Sequence, residues 1–318
     1  MLPDPMRARR SCLSVPGSSE KMLAKARILP ADEVIIDLED SVAPQVKDGA
    51  RTAVAAAIRA GGWHARTLTV RINAPSTRWC YRDVIELVET AGDALACLVV
   101  PKVECAADLA FVDTLLRMVE ENVGRREPIG LQALIETAAG LRHVHDIAQA
   151  SPRIEALIVG YADLAASLGR PPSAEFPGDR WQWVLETVLV AARAAGLQAI
   201  DGPWLGIRDL RGFEAAAARG RALGYDGKWA VHPAQIEPLN QLFTPTAEEF
   251  EKAHAILDAL ARAAAGEGRG AVMFEGAMID EAIRKLAVQT VARGEAAGLG
   301  CPAPRRGAGE KGITPITR

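Results

Sequence analysis

Val34-Ile35-Ile36-Asp37-Leu38-Glu39-Asp40 is a short β-branched run that ends in three acids within four residues. A run of this length and composition reads as a buried strand, and its polar end as the place where the strand leaves the core. Seven more runs end the same way: at Val15-Pro16-Gly17, Val70-Arg71-Ile72-Asn73, Val100-Pro101-Lys102, Ile135-Glu136-Thr137, Gly160-Tyr161-Ala162-Asp163, Ala199-Ile200-Asp201 and Val231-His232-Pro233. The strands are expected near 11–16, 33–38, 67–72, 95–101, 130–136, 155–160, 198–201 and 228–232. Helical patterns fall between them at 47–60, 81–91, 105–122, 138–150, 179–195 and 208–223. Uniformly apolar strands alternating with helices predict a parallel sheet covered on its outer face. The fold class expected is α/β, a (β/α)8 TIM barrel whose chemistry sits at the C-terminal rim. An open doubly wound sheet would carry GxGxxG after its first strand, and Val15-Pro16-Gly17-Ser18-Ser19 does not fit it.

The 318 residues exceed the roughly 250 that one barrel needs. Residues 1–243 are expected to form the catalytic barrel and 244–297 a C-terminal lid or oligomer arm. In that arm Thr246 caps a helix over 247–265, and Gly266–Gly270 breaks the chain. A β-like piece follows at 271–274, then a last helix to about Ala297. The arm is too small for an independent core. Proline, glycine and mixed charge over 298–318 predict a disordered tail. A composition 49% hydrophobic and 24% charged is that of a soluble globular protein. The net charge of −3 leaves no basic field for nucleic acid or an anionic membrane. With no membrane span and no signal-peptide core, the expected location is the cytoplasm. Five scattered cysteines fit reduced structural thiols.

The ionisable residues at the strand ends carry the chemistry. Glu136 and Asp163 end adjacent strands, so their carboxylates converge above the barrel, and such a pair of hard oxygen ligands suits Mg2+. A helix N-cap role for Asp163, or a buried-arginine partner for Glu136, is the structural alternative. Arg71 must bury its stem while its planar head reaches the rim, where it suits a carboxylate or a polarised carbonyl oxygen. A salt bridge to Glu39 or Asp40 is the alternative for Arg71. Strand periodicity puts Asp37 and Glu39 on one face and Asp40 on the other. Three acids cannot all be metal ligands, so some are expected to orient Arg71, metal-bound waters or Lys102.

From about residue 9 to 295 the motifs resemble, in order, the citrate lyase β-subunit-like branch of the HpcH/HpaI aldolase family. They are Arg10-Ser11-x-Leu13-x-Val15-Pro16-Gly17, Asp37-Leu38-Glu39-Asp40-Ser41-Val42-Ala43-Pro44 with Lys47, Val70-Arg71-Ile72-Asn73, Pro101-Lys102-Val103-Glu104, Glu136-Thr137-Ala138, Gly224-Tyr225-Asp226-Gly227-Lys228, His232-Pro233-x-Gln235-Ile236 and Gly276-x-Met278-Ile279-Asp280.

The resemblance implies a TIM barrel with a C-terminal lid, assembled as a homotrimer or hexamer. It implies a Mg2+-dependent lyase that cleaves or forms a C–C bond between a CoA thioester and a 2-oxo acid, as with malyl-CoA or citramalyl-CoA. Mg2+ is then expected on Glu136 and Asp163, and Arg71 on the reacting oxygens. Asp280 is the implied acid/base, carried on a neighbouring subunit's lid. Lys21 and Lys25 match positions that contact CoA phosphates, and Val231-His232 a backbone stretch beside the thioester. Ser14 stands where many relatives have an aromatic residue, so that wall of the CoA channel is smaller and polar. Relatives also often carry another acid just before the residue that matches Asp163. Alternatives on the same scaffold are a malate or citramalate synthase or thioesterase, a citrate lyase β subunit with an acyl-carrier partner, and a non-catalytic interaction subunit.

Overall fold

The eight strands close a parallel barrel in sequence order, β1 pairing with both β2 and β8. They are β1 (Ser11–Pro16), β2 (Glu33–Asp37), β3 (Thr67–Arg71), β4 (Cys97–Val100), β5 (Gly130–Ile135), β6 (Ile154–Val159), β7 (Gln198–Asp201) and β8 (Gly227–Ala230). The computed structural model describes residues 7–171, 179–267 and 270–300. Among the described residues ten α-helices belong to the first unit: α1 (Glu20–Arg27), α2 (Lys47–Arg59), α3 (Cys80–Ala91), α4 (Ala106–Val123), α5 (Ala138–Arg142), α6 (Val144–Ala148), α7 (Tyr161–Ser167), α8 (Gln182–Ala194), α9 (Leu210–Leu223) and α10 (Ile236–Phe243). A second unit holds α11 (Ala247–Glu267), β9 (Val272–Phe274), β10 (Ala277–Ile279) and α12 (Glu281–Ala296). The chain divides between the two compact units after Phe243. The tail expected over 298–318 falls, from residue 301 on, outside the described residues, as does Cys301. No helix among the described residues is long and apolar enough to cross a membrane, and their four cysteines are free thiols.

Strand alternation sorts the barrel into two cores. Val34, Ile36, Leu68, Val70, Leu98 and Val100 face outward and pack under the helices. Cys12, Ile35, Val99, Leu134, Ala156, Ile158, Ile200 and Trp229 fill the interior. At the opposite end from the rim the interior turns polar. Arg9 is fully buried and bonds Glu155, Glu33 (3.2 Å) and Gln198 (2.5 Å), while Thr69 and Gln132 also donate to Glu33. This plug closes the N-terminal mouth. Gly227 lets it seat, because a Cβ there would run into the Arg9 carbonyl oxygen. Arg9→Met should strand two buried carboxylates and cost about 3–5 kcal/mol. A fall of about 10 °C in the thermal midpoint is the expected reading, and an unshifted midpoint would contradict the ion network.

Several local expectations meet competing effects. The helix expected over 138–150 breaks at His143, whose ring Nδ1 lies 3.0 Å from the Glu104 carbonyl oxygen. The one expected from 179 opens instead as a short 3-10 turn and becomes α-helical at Gln182. Helix α10 was not anticipated, because Pro238 lies in it; it falls in the first turn, where no intrahelical N–H is required. Helix α7 is too short to show periodicity. In the second unit, Glu275 and Gly276 both take positive φ, 48° and 81°, as a two-residue hairpin turn requires, and so pair β9 with an unforeseen β10. The second unit holds a small apolar cluster of Ala253, Ile256, Ala259, Leu260, Val272, Ile279 and Ala287.

Candidate active site

Strand β2 ends at Asp37, and the chain turns at once around that carboxylate. Asp37 accepts from the Glu39 amide (2.9 Å) and the Ser41 amide (3.0 Å). The same two oxygens take the Arg71 fork, Nε at 2.6 Å and Nη2 at 2.7 Å. Burial opposes ionisation of Asp37, yet the Arg71 bonds outweigh it and hold its carboxyl below the usual range. Arg71 is correspondingly held above its ordinary value, its partners overcoming burial. Its remaining nitrogen, Nη1, lies 3.2 Å from Glu39 and 3.8 Å from Asp40. The guanidinium carbon also sits 5.6 Å from the centre of the Trp229 ring. Arg71 is therefore fixed in its plane by an acid and lies over an aromatic ring.

The expectation that Asp40 faces away from Asp37 and Glu39 is overturned. The strand stops three residues earlier, so its alternation does not extend that far, and Asp40 turns back to meet Lys102 at 3.2 Å. Asp37, rather than Glu39 or Asp40, is the main seat of Arg71. Glu39 is buried and bonds the Lys102 ammonium. Burial, then Asp40, pushes the Glu39 carboxyl up, while Asp40 itself is held down, its bond from Glu39 and the cations nearby overcoming burial.

Glu136 is buried at the end of β5, where its Oε1 accepts the Lys102 backbone N–H at 2.8 Å. Lys102 holds φ of 50°, a left-handed conformation that costs a non-glycine residue about 1–3 kcal/mol. Two fixed contacts, its amide to Glu136 and its ammonium to Glu39, impose it. Gly160 is needed opposite, because a Cβ there would stand 2.6 Å from Glu136 Oε2. Asp163 lies in the first turn of α7, whose N-cap is Gly160, so Asp163 is not the cap. Its Oδ1 is 3.9 Å from the Lys102 ammonium. Burial, then the charge of Asp163, pushes the Glu136 carboxyl up to about 8. A buried carboxyl whose ionisation a neighbouring carboxylate opposes is a natural seat for a cation. Among the described residues no group of three or more His, Cys, Asp and Glu is arranged to hold a metal. A metal at this rim would rest on these two oxygen donors with water and substrate, which fits Mg2+ and not a closed zinc site.

The other expected residues lie apart from this cluster. Ser14 is half-buried on β1 and points inward, one step above Cys12, whose partner on β8 is Trp229. Lys21 and Lys25 are exposed on α1. The backbone N–H groups of Val231 and His232 both donate to the buried Gln235 side chain, at 2.8 and 3.2 Å, which fixes that stretch. Asp280 belongs to the second unit, where its Oδ1 caps α12 through Ala282 (2.9 Å) and Ile283 (3.2 Å). Sequence reading overlooked Trp229, and it named Gln235 only within a motif, without the hold on Val231 and His232. Alternation alone points Trp229 inward, but no local pattern says that Arg71 from the far side of the sheet order lies over it.

Known proteins are similar to this chain along nearly its whole length. The chain is 39% identical over 308 residues to the L-malyl-CoA/beta-methylmalyl-CoA lyase of Cereibacter sphaeroides (strain ATCC 17025 / ATH 2.4.3), covering 92% of this chain and 96% of that protein. It is 36% identical over 289 residues to a (3S)-malyl-CoA thioesterase of Cereibacter sphaeroides (strain KD131 / KCTC 12085), covering 90% and 95%. Among solved structures, the CitE protein of Mycobacterium tuberculosis in complex with magnesium, acetoacetate and coenzyme A superposes with a TM-score of 0.71. It is 32% identical, covering 91% of this chain and 99% of that one. The model of the HpcH/HpaI aldolase/citrate lyase family matches residues 10–233, the span that builds the barrel and its acidic rim. The chain thus belongs to the HpcH/HpaI aldolase/citrate lyase family and is a carbon–carbon lyase.

Proposed function

We propose that this enzyme is a Mg2+-dependent lyase that cleaves, or forms, a 3-hydroxy-3-carboxyacyl-CoA such as malyl-CoA or citramalyl-CoA. The products are acetyl-CoA and a 2-oxo acid, glyoxylate or pyruvate. The observation that carries the reading is the Arg71 head, locked by Asp37 at a rim where Lys102 meets both Glu136 and Asp163. Glu136 and Asp163 would hold Mg2+, which supplies a Lewis acid to polarise the reacting oxygens. Arg71 donates to the substrate carboxylate and stabilises the charge that develops on the hydroxyl oxygen as the C–C bond breaks. Its seat costs no reorganisation, because Asp37 is already ionised. Lys102 holds the Glu136 carboxylate through its strained amide, and Glu39 and Asp40 hold Lys102. As the C–C bond breaks, the hydroxyl gives up its proton to a water at the rim and becomes the carbonyl of the 2-oxo acid, and the bonding pair leaves as an enolate on the thioester. Asp280 returns the proton to that carbon in cleavage and removes it from acetyl-CoA in condensation. The segment 244–297 serves as a lid, and in a homotrimer or hexamer it covers the rim of a neighbouring subunit, excluding water while the enolate lives.

Hydrolysis of the thioester is the second reading, favoured by the thioesterase relative. The two separate cleanly by product. Malyl-CoA incubated with enzyme and Mg2+ should yield a 2-oxo acid with no free thiol; malate and free CoA thiol would establish the thioesterase instead.

On this reading Lys21 and Lys25, four apart and both exposed on α1, meet the CoA phosphates. Replacing both with alanine should raise KM for the thioester several-fold with a smaller change in kcat. The difference should shrink as salt rises, because exposed charges are screened. An unchanged KM at low salt would return them to the solvated surface.

A further inference from the structure

We propose that Trp229 determines the size of the 2-oxo acid this site accepts, forming the floor of its pocket beneath Arg71. The inference rests on the function proposed above and names a residue that function does not require. Trp229 points into the barrel from β8, opposite Cys12 on β1, and packs with the interior cluster of Ile35, Val99, Leu134, Ala156, Ile158 and Ile200. It is the one aromatic side chain in that cluster, and it is 4% exposed. Its ring lies 5.6 Å from the guanidinium carbon of Arg71.

Three consequences follow from that geometry. An indole over the guanidinium face contributes a cation–π contact of about 1–2 kcal/mol in a desolvated setting, so Trp229 steadies the head that Asp37 grips in its plane. The bulk of the ring then occupies the space a longer 2-oxo acid would enter. A carboxylate bound to Arg71 above the ring has its remaining carbons confined between this floor and the metal-side carboxylates. The inward positions above Cys12 and Trp229 are Ser14 and Val231, a small polar side chain and a fixed apolar one. Compact 2-oxo acids of two or three carbons fit such a pocket, and each added methylene is excluded by packing.

The test compares wild type, Trp229→Phe and Trp229→Leu, with two readouts on the full-length chain in Mg2+. The first is binding of glyoxylate, pyruvate, 2-oxobutanoate and 2-oxopentanoate by calorimetry, which needs no turnover. The second is condensation of each acid with acetyl-CoA. Leucine should raise the preference for 2-oxobutanoate over pyruvate by about tenfold or more, the usual effect of one methylene in an apolar pocket. Phenylalanine should shift it less, and KM for acetyl-CoA should stay within about twofold in both. A merely structural tryptophan would weaken all four acids by one common factor, and that result would overturn the proposal. If the leucine variant does not fold, the phenylalanine variant decides it on the same ratio, an unchanged preference counting against the floor. Wild type that binds no 2-oxo acid at all would instead refute the function itself, a distinct failure visible before any variant is made.

Discussion

Asp280→Asn is expected to lower turnover by about two to four orders of magnitude, the range typical of losing a general acid/base. Asparagine keeps the side-chain oxygen that caps α12 through Ala282 and Ile283, and it is as good an N-cap as aspartate. The loss can then be read as chemistry, with the helix intact by circular dichroism. Mg2+ and CoA affinities should remain near wild type, since neither Glu136 nor Asp163 is altered. If the lid serves a neighbour, mixing Asp280→Asn chains with Glu136→Ala chains should recover part of the activity. One subunit then offers a sound rim and the other a sound acid. Mixed oligomers that form and stay inactive would assign the lid to its own barrel.

Asp163→Ala should abolish Mg2+-dependent turnover while the barrel still folds, because the side chain is partly exposed and caps nothing. Calorimetry on wild type adds a pH signature. The metal-free Glu136 carboxyl is pushed up to about 8 by burial and by Asp163. At pH 7 it is mostly protonated, and a cation must displace that proton to bind. Mg2+ affinity should therefore rise roughly tenfold per pH unit up to about pH 8 and then level, with close to one proton released per ion at pH 7. In Asp163→Ala the charge that raises Glu136 is gone, so residual binding should be weak and its pH dependence displaced to lower pH. An affinity flat from pH 6 to 8 would remove Glu136 from the metal site.

Much of the architecture was written locally. β-branched runs such as Val34-Ile35-Ile36 and Leu98-Val99-Val100 can do little but form buried strands, and their regular spacing with alanine-rich helices leaves a barrel as the economical closure. The polar residue at each strand end is carried to one rim by that closure, so Arg71, Glu136 and the Asp37–Asp40 group could be named as candidates from sequence position alone. Helix α7 and the hairpin were lost because they are too short to establish a periodicity, and α10 because its proline looked like a breaker.

What the sequence by itself determined, then, is the strand inventory, the closed barrel and the short roll of rim residues, since each depends on composition within a few neighbouring positions. Tertiary structure alone decided the partnerships. Asp37 grips Arg71 from the next strand, and the amide of Lys102, bent into a left-handed φ, fixes Glu136 across 34 positions of chain. Arg9 binds Glu155 across 146 positions, and Trp229 comes to lie under Arg71 from the opposite end of the barrel sequence. Hydrogen bonds, charge and ring contacts act over a few ångströms of space, whatever the separation along the chain. Which acid meets which base was therefore fixed only when the barrel closed and set the strand ends side by side.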